Sequence, residues 1–188
     1  MPENTKFLIK PNPSDQRLTE KVDGLDQEGQ AVTTSVTVER PLTLFLNGQE
    51  IVTMMSICDY PEFLAIGYLV NQNMLSKEDE VTAIEYEEDI ETVVVRTNSE
   101  TNFEDKLKKK TLTSGCAQGT VFGDLMEKFD EVNLSPDIKL KTSDLYAVLK
   151  IINTAPSLYL EAGAIHGCVL CDGATPILYM EDVGRHNA

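Results

Sequence analysis

The 188 residues include no tryptophan, only two histidines and only four cysteines. A chain this long can bury a core of its own, so four cysteines do not suggest a disulfide framework. Long apolar runs are missing too. The opening MPENTKFLIKPNPSDQ has no signal-type hydrophobic stretch, and no later segment approaches the roughly 20 residues that span a bilayer. The chain is therefore read as cytoplasmic, off the membrane, with reduced thiols. Positive charge is the third scarcity. Lysine and arginine number 16 against 31 aspartates and glutamates, a formal net charge of -15. That excludes a general nucleic-acid binder, which needs positive surface to displace counterions, but leaves room for a local basic site.

Pro2, Pro11 and Pro13 sit among polar residues without a period, so 1–32 is expected to be a flexible leader. From Ser35 the sequence SVTVERPLTLFLNGQEIVTMMS alternates β-branched and apolar residues around Asn47-Gly48, a hairpin signal. Asp59 is placed to cap a helix with Pro61 in its first turn, and Phe63, Leu64, Gly67, Tyr68 and Leu69 recur at helical spacing, to lie on the preceding strands. The acidic stretch around VTAIEY and ETVVVRT reads as two strands with a solvated turn. Val121, Leu125, Met126 and Phe129 suggest a short helix, and Ser143 opens a second that closes before Pro156. GAIHGCVLCDGATPILYMEDVGRHNA then reads as strand, Asp172-Gly173 turn, strand and the start of another element. It stops at Ala188 without cap or tail, so the remaining elements of such a fold are expected to be absent from the chain.

Cys116 stands in TLTSGCAQGTVFGDL among loop formers, flanked by Gly115 and Gly119 beside Ser114. A packing cysteine keeps apolar neighbours, so this one reads as a thiol on a surface loop. Lys106, Lys108, Lys109 and Lys110 either form a solvated face or favour the thiolate and attract an anion. Cys168 and Cys171 spell C-x-x-C, but three residues along a strand point to opposite faces and no second pair completes a zinc set. They are read as buried small residues, and Cys58, beside Ile57, as core. The two histidines, His166 and His186, have glycine neighbours that let a ligand approach the backbone. Glu181, Asp182, Arg185 and His186 crowd four ionisable groups at a strand end, where open α/β sheets place sites.

In chain order, YPEFLAIGYLVNQNML, SGCAQG, AGAIHG and EDVGRHNA resemble the FdhD formate dehydrogenase accessory sulfurtransferases, with a match from about Ser35 to Ala188. The resemblance implies an α/β (α+β) fold with a cytidine deaminase-like core and an N-terminal β-rich region. It divides the chain into the 1–32 leader, a 33–112 β-rich and helical region, and 113–188, the cysteine loop and the start of the deaminase-like domain. It further implies a cytoplasmic homodimeric sulfur carrier. Such a carrier takes persulfide sulfur from a cysteine desulfurase onto Cys116 and passes it to a molybdenum or tungsten bis-guanylyl molybdopterin cofactor before insertion into apo formate dehydrogenase. His166, Asp182, Gly184, Arg185 and His186 fall on its other signature positions. Two departures stand out: Gly119 replaces the second cysteine of the family's C-x-x-C loop, and Ala162-Gly163-Ala164 replaces its usual Thr-Gly-Gly or Thr-Gly-Cys. The alternative is a non-catalytic carrier or chaperone that binds the pterin nucleotide and the apo-enzyme without relaying sulfur.

A zinc deaminase needs His-x-Glu so that a metal activates water while the glutamate moves protons. Here His186-Asn187-Ala188 puts alanine at the glutamate position, so neither that activity nor a metal is expected. The guanidinium of Arg185 and the imidazole of His186, beside Gly184, are suited instead to phosphate. GDP, mimicking one end of the cofactor, is expected to bind there, close to His166.

Overall fold

In a computed structural model, residues 7–98, 110–112, 120–122, 133, 137 and 139–188 are described. They form β1 (Thr19–Leu25), β2 (Ala31–Thr37), β3 (Arg40–Leu46), β4 (Gln49–Ser56), α1 (Pro61–Asn71), β5 (Val81–Glu87), β6 (Thr92–Thr97), β7 (Lys110–Leu112), β8 (Thr120–Phe122), α2 (Thr142–Ile152), α3 (Leu158–Ala162), β9 (His166–Asp172) and β10 (Thr175–Asp182). The class is mixed α/β. Two compact units divide the chain, one of Met1–Glu39, Ser135–His186 and Ala188, the other of Arg40–Leu134 and Asn187. These cuts differ from the boundaries expected at 32 and 112. Among the described residues no helix is long and apolar enough to cross a membrane. The helix expected around Val121–Phe129 lies largely outside the described residues, and Thr120–Phe122 is strand.

The second unit is built on a four-stranded sheet in the order β4-β3-β6-β5, with β3 parallel to β6 and the outer pairs antiparallel. Asn47 and Gly48 join β3 to β4 with φ of 50° and 86°, the doubly left-handed turn that matches hairpin twist. Asn47 also anchors the turn to β6: its Oδ1 accepts from Thr97 N at 2.8 Å and its Nδ2 donates to Thr97 Oγ1 at 2.9 Å. Alternation along β3 buries Leu42, Leu44 and Leu46, which meet Ile51, Met54, Val93 and Val95 in one apolar core. α1 closes that core with Ala65, Tyr68 and Leu69, a stripe at helical spacing, and packs chiefly over β5 and β6.

The helix start differs from the one expected. Its cap position is Tyr60, left-handed at φ 51°, and no side chain caps it; Asp59 falls one residue outside. The expected stripe also moves, because Phe63 is exposed and Ala65 is buried. Cys58 is buried, as expected of a core residue.

In the first unit, β1 and β2 pair antiparallel within and just beyond the segment expected to be a loose leader. Both strands are largely exposed, with Ser35 the one buried residue along them, so β1 and the start of β2 offer no half-buried face to read ahead of Ser35. α2 begins at Thr142 after Lys141, not at a Ser143 cap, and buries none of its residues. β9 and β10 form the expected hairpin around a left-handed Gly173, with a bulge between Pro176 and Leu178. Beside the bulge the chain from Phe7 joins the hairpin: Leu8 N donates to Ile177 O at 2.9 Å and Tyr179 N to Ile9 O at 3.0 Å.

Candidate functional site

The C-terminal hairpin sorts its residues by face. Cross-strand partners point the same way, so Tyr179 and Glu181 lie on one face with Gly167 and Val169, and Asp182 lies on the other with His166 and Cys168. Tyr179 and Glu181 are buried, whereas His166, Cys168 and Leu170 are exposed. This corrects the expectation for the C-x-x-C pair. Cys168 is exposed and Cys171 half-buried, both free thiols. Among the described residues no three histidine, cysteine, aspartate or glutamate side chains gather as a metal site would require.

His166, first in β9, is the register partner of Asp182, last in β10. Asp182 is only 3% exposed, and its Oδ1 accepts the Gly184 N–H at 2.8 Å, which turns the chain sharply after the strand. One helical turn follows, closed by Ala188 N donating to Gly184 O at 3.1 Å. Arg185 and His186 ride on that turn and are exposed. No hydrogen bond or ion pair engages the side chains of Arg185, His186 or His166 among the described residues. The hairpin end thus brings together five residues expected from sequence, His166, Asp182, Gly184, Arg185 and His186. It presents a guanidinium and two imidazoles to solvent, a set able to meet phosphate oxygens.

Glu181, counted from sequence among the ionisable groups of this strand end, plays a buried part that the sequence did not indicate. It is 3% exposed and takes three donors: Leu158 N at 2.7 Å, Tyr159 N at 3.4 Å and Tyr179 Oη at 2.8 Å. It thereby holds the first turn of α3, whose Ser157 cap accepts from Leu160 N at 3.3 Å. Burial, and then the bond to Glu181, push the Tyr179 hydroxyl up to about 12. Gly167 has a reason unlike the one expected: a Cβ there would stand 2.9 Å from Tyr179 Cε2, so the ring of Tyr179 occupies the space read as an approach for ligand.

Cys116 lies outside the described residues, as do Lys106, Lys108 and Lys109. Its chain position is still bracketed. β7 and β8 pair antiparallel with Leu112 opposite Thr120, and Cys116 is the middle residue of the connecting 113–119.

The FdhD/NarQ family model matches residues 37–188. The chain belongs to the FdhD/NarQ family. Curated relatives include the sulfur carrier protein FdhD of Bacillus pumilus (strain SAFR-032), 27% identical over 171 residues, covering 86% of this chain and 63% of that protein. That of Wolinella succinogenes is 28% identical over 155 residues, covering 80% and 52% respectively. The chain thus spans between half and two thirds of the length of these relatives. Its fold is similar to that of a crystal structure of a candidate formate dehydrogenase accessory protein from Desulfotalea psychrophila. The TM-score there is 0.64 at 22% identity, over 90% of this chain and 63% of that one.

Proposed function

We propose that this FdhD/NarQ chain acts as a sulfur carrier for formate dehydrogenase maturation, with Cys116 as the carrying thiol. The observation that carries the reading is the family match, which runs through Cys116 and the whole hairpin end. In the sulfur step, the Cys116 thiolate attacks the outer sulfur of a desulfurase cysteine persulfide. The donor's S–S bond breaks, the desulfurase leaves as its thiolate, and Cys116 becomes the persulfide. The cargo that receives this sulfur is a bis-guanylyl molybdopterin cofactor. Its guanylyl phosphates meet Arg185 and His186, near His166, with Asp182 and Gly184 shaping the turn that presents them. The working form is a cytoplasmic homodimer on a cytidine deaminase-like fold, partnered by a cysteine desulfurase and apo formate dehydrogenase.

Gly119, standing where the family loop has a second cysteine, favours a second reading: a carrier of cofactor that relays no sulfur. Labelled cysteine supplied with a desulfurase separates the two. A relay takes up sulfur and loses uptake in Cys116→Ala; a pure carrier takes up none. Both readings expect GDP to bind the hairpin end with an affinity that falls as salt rises, since contacts with phosphate are screened. Calorimetry in which Arg185→Ala leaves GDP affinity unchanged would place nucleotide elsewhere.

A further inference from the structure

We propose that Glu181 is a positioning residue for the nucleotide-binding hairpin end, locking His166 on β9 to the Asp182–His186 turn through Tyr179 and α3. The inference rests on the reading of that end as a phosphate site.

A carboxylate buried to this degree is costly unless several donors satisfy it. Glu181 draws its three from two different elements, β10 and α3. Its register partner is Gly167, and the Tyr179 ring that donates to Glu181 is the group closing over Gly167. One side chain therefore fixes both strands where they carry His166 and Asp182, each the immediate neighbour of a clamped residue. The far end of α3 is tied separately: Ser35 Oγ donates to Glu161 Oε1 at 3.0 Å, and Lys21 Nζ donates to Ser35 at 2.8 Å. Removing the Ser35 hydroxyl takes away the middle link of that outer tie while leaving the three donors of Glu181 in place, which supplies a control for stability alone.

The test uses the full chain. With two histidines in the sequence, the imidazole Hε1 region of an NMR spectrum gives two signals, assigned by His186→Asn. Glu181→Gln and Tyr179→Phe should each shift or broaden the His166 signal and weaken GDP binding about threefold or more, the equivalent of part of one hydrogen bond. Ser35→Ala should lower the melting temperature and leave the His166 signal in place. If Glu181→Gln fails to fold, Tyr179→Phe carries the comparison, because it removes only the hydroxyl. The proposal is overturned if the hairpin variants move the melting temperature alone, as Ser35→Ala does. A wild-type chain that binds no GDP would defeat the nucleotide reading instead, and the His166 signal would still decide the role of Glu181.

Discussion

Gly167 owes its missing side chain to a neighbour within the protein. Because Tyr179 is buried and bonded to Glu181, its ring cannot swing away from an added methyl. Gly167→Ala should therefore cost about 1–3 kcal/mol in chemical denaturation, and an unchanged midpoint would show that the ring yields. The Tyr179 hydroxyl makes a prediction with a defined pH window. Folding raises it to about 12, above the value near 10 of an unfolded tyrosine. The stabilisation is fully present below the unfolded value and is lost as pH climbs toward the folded one. Tyr179→Phe should remove part of the wild-type loss of stability across that alkaline window, the rest coming from Tyr60, Tyr68 and Tyr86, which burial shifts the same way. A full wild-type loss in Tyr179→Phe would contradict the assignment. At this scale the sequence marked the glycine beside His166 but could not say what filled its space. The answer lies across the strand pair, where pairing register decides which ring meets which glycine.

Among elements, those with strong local chemistry were legible. Asn47-Gly48 specifies its turn by left-handed preference, and β3 buries every second residue, so both signals survive in one sequence. β1 and the start of β2 leave no such trace, and α3 is too short for a helical period, with only Ser157 as a start signal. The candidate site was legible as a cluster of ionisable residues in sequence, from Asp182 to His186, which the hairpin end gathers. Glu181 was visible as one more charge, but its burial depends on amides contributed by α3. Packing differs as sharply between helices. α1 shares the core with Leu44, while Leu145 on α2 is exposed. Leu44→Ala should cost about 2–5 kcal/mol, whereas Leu145→Ala should stay within about 1 kcal/mol. Equal costs in denaturant titrations would mean that α2 is packed in solution in a way its exposure here does not reveal.

For the whole molecule, a net charge of -15 sets the terms on which the proposed anionic cofactor can be held. Attraction must be local, and Arg185, His186 and His166 are the groups the hairpin end offers. The family match joins that end to Cys116 in one chain, and the central claim is that this cysteine, of the four present, carries the sulfur. Among the described cysteines Cys168 is the exposed thiol, and so the rival to Cys116 for the sulfur. Peptide mapping by mass spectrometry, after exposure to a cysteine desulfurase and cysteine, tests this most directly. The account predicts one added sulfur on the Cys116 peptide, lost in Cys116→Ala and kept in Cys168→Ala and Cys171→Ala. Sulfur on Cys168 or Cys171 at the same level, or none on Cys116, would contradict it.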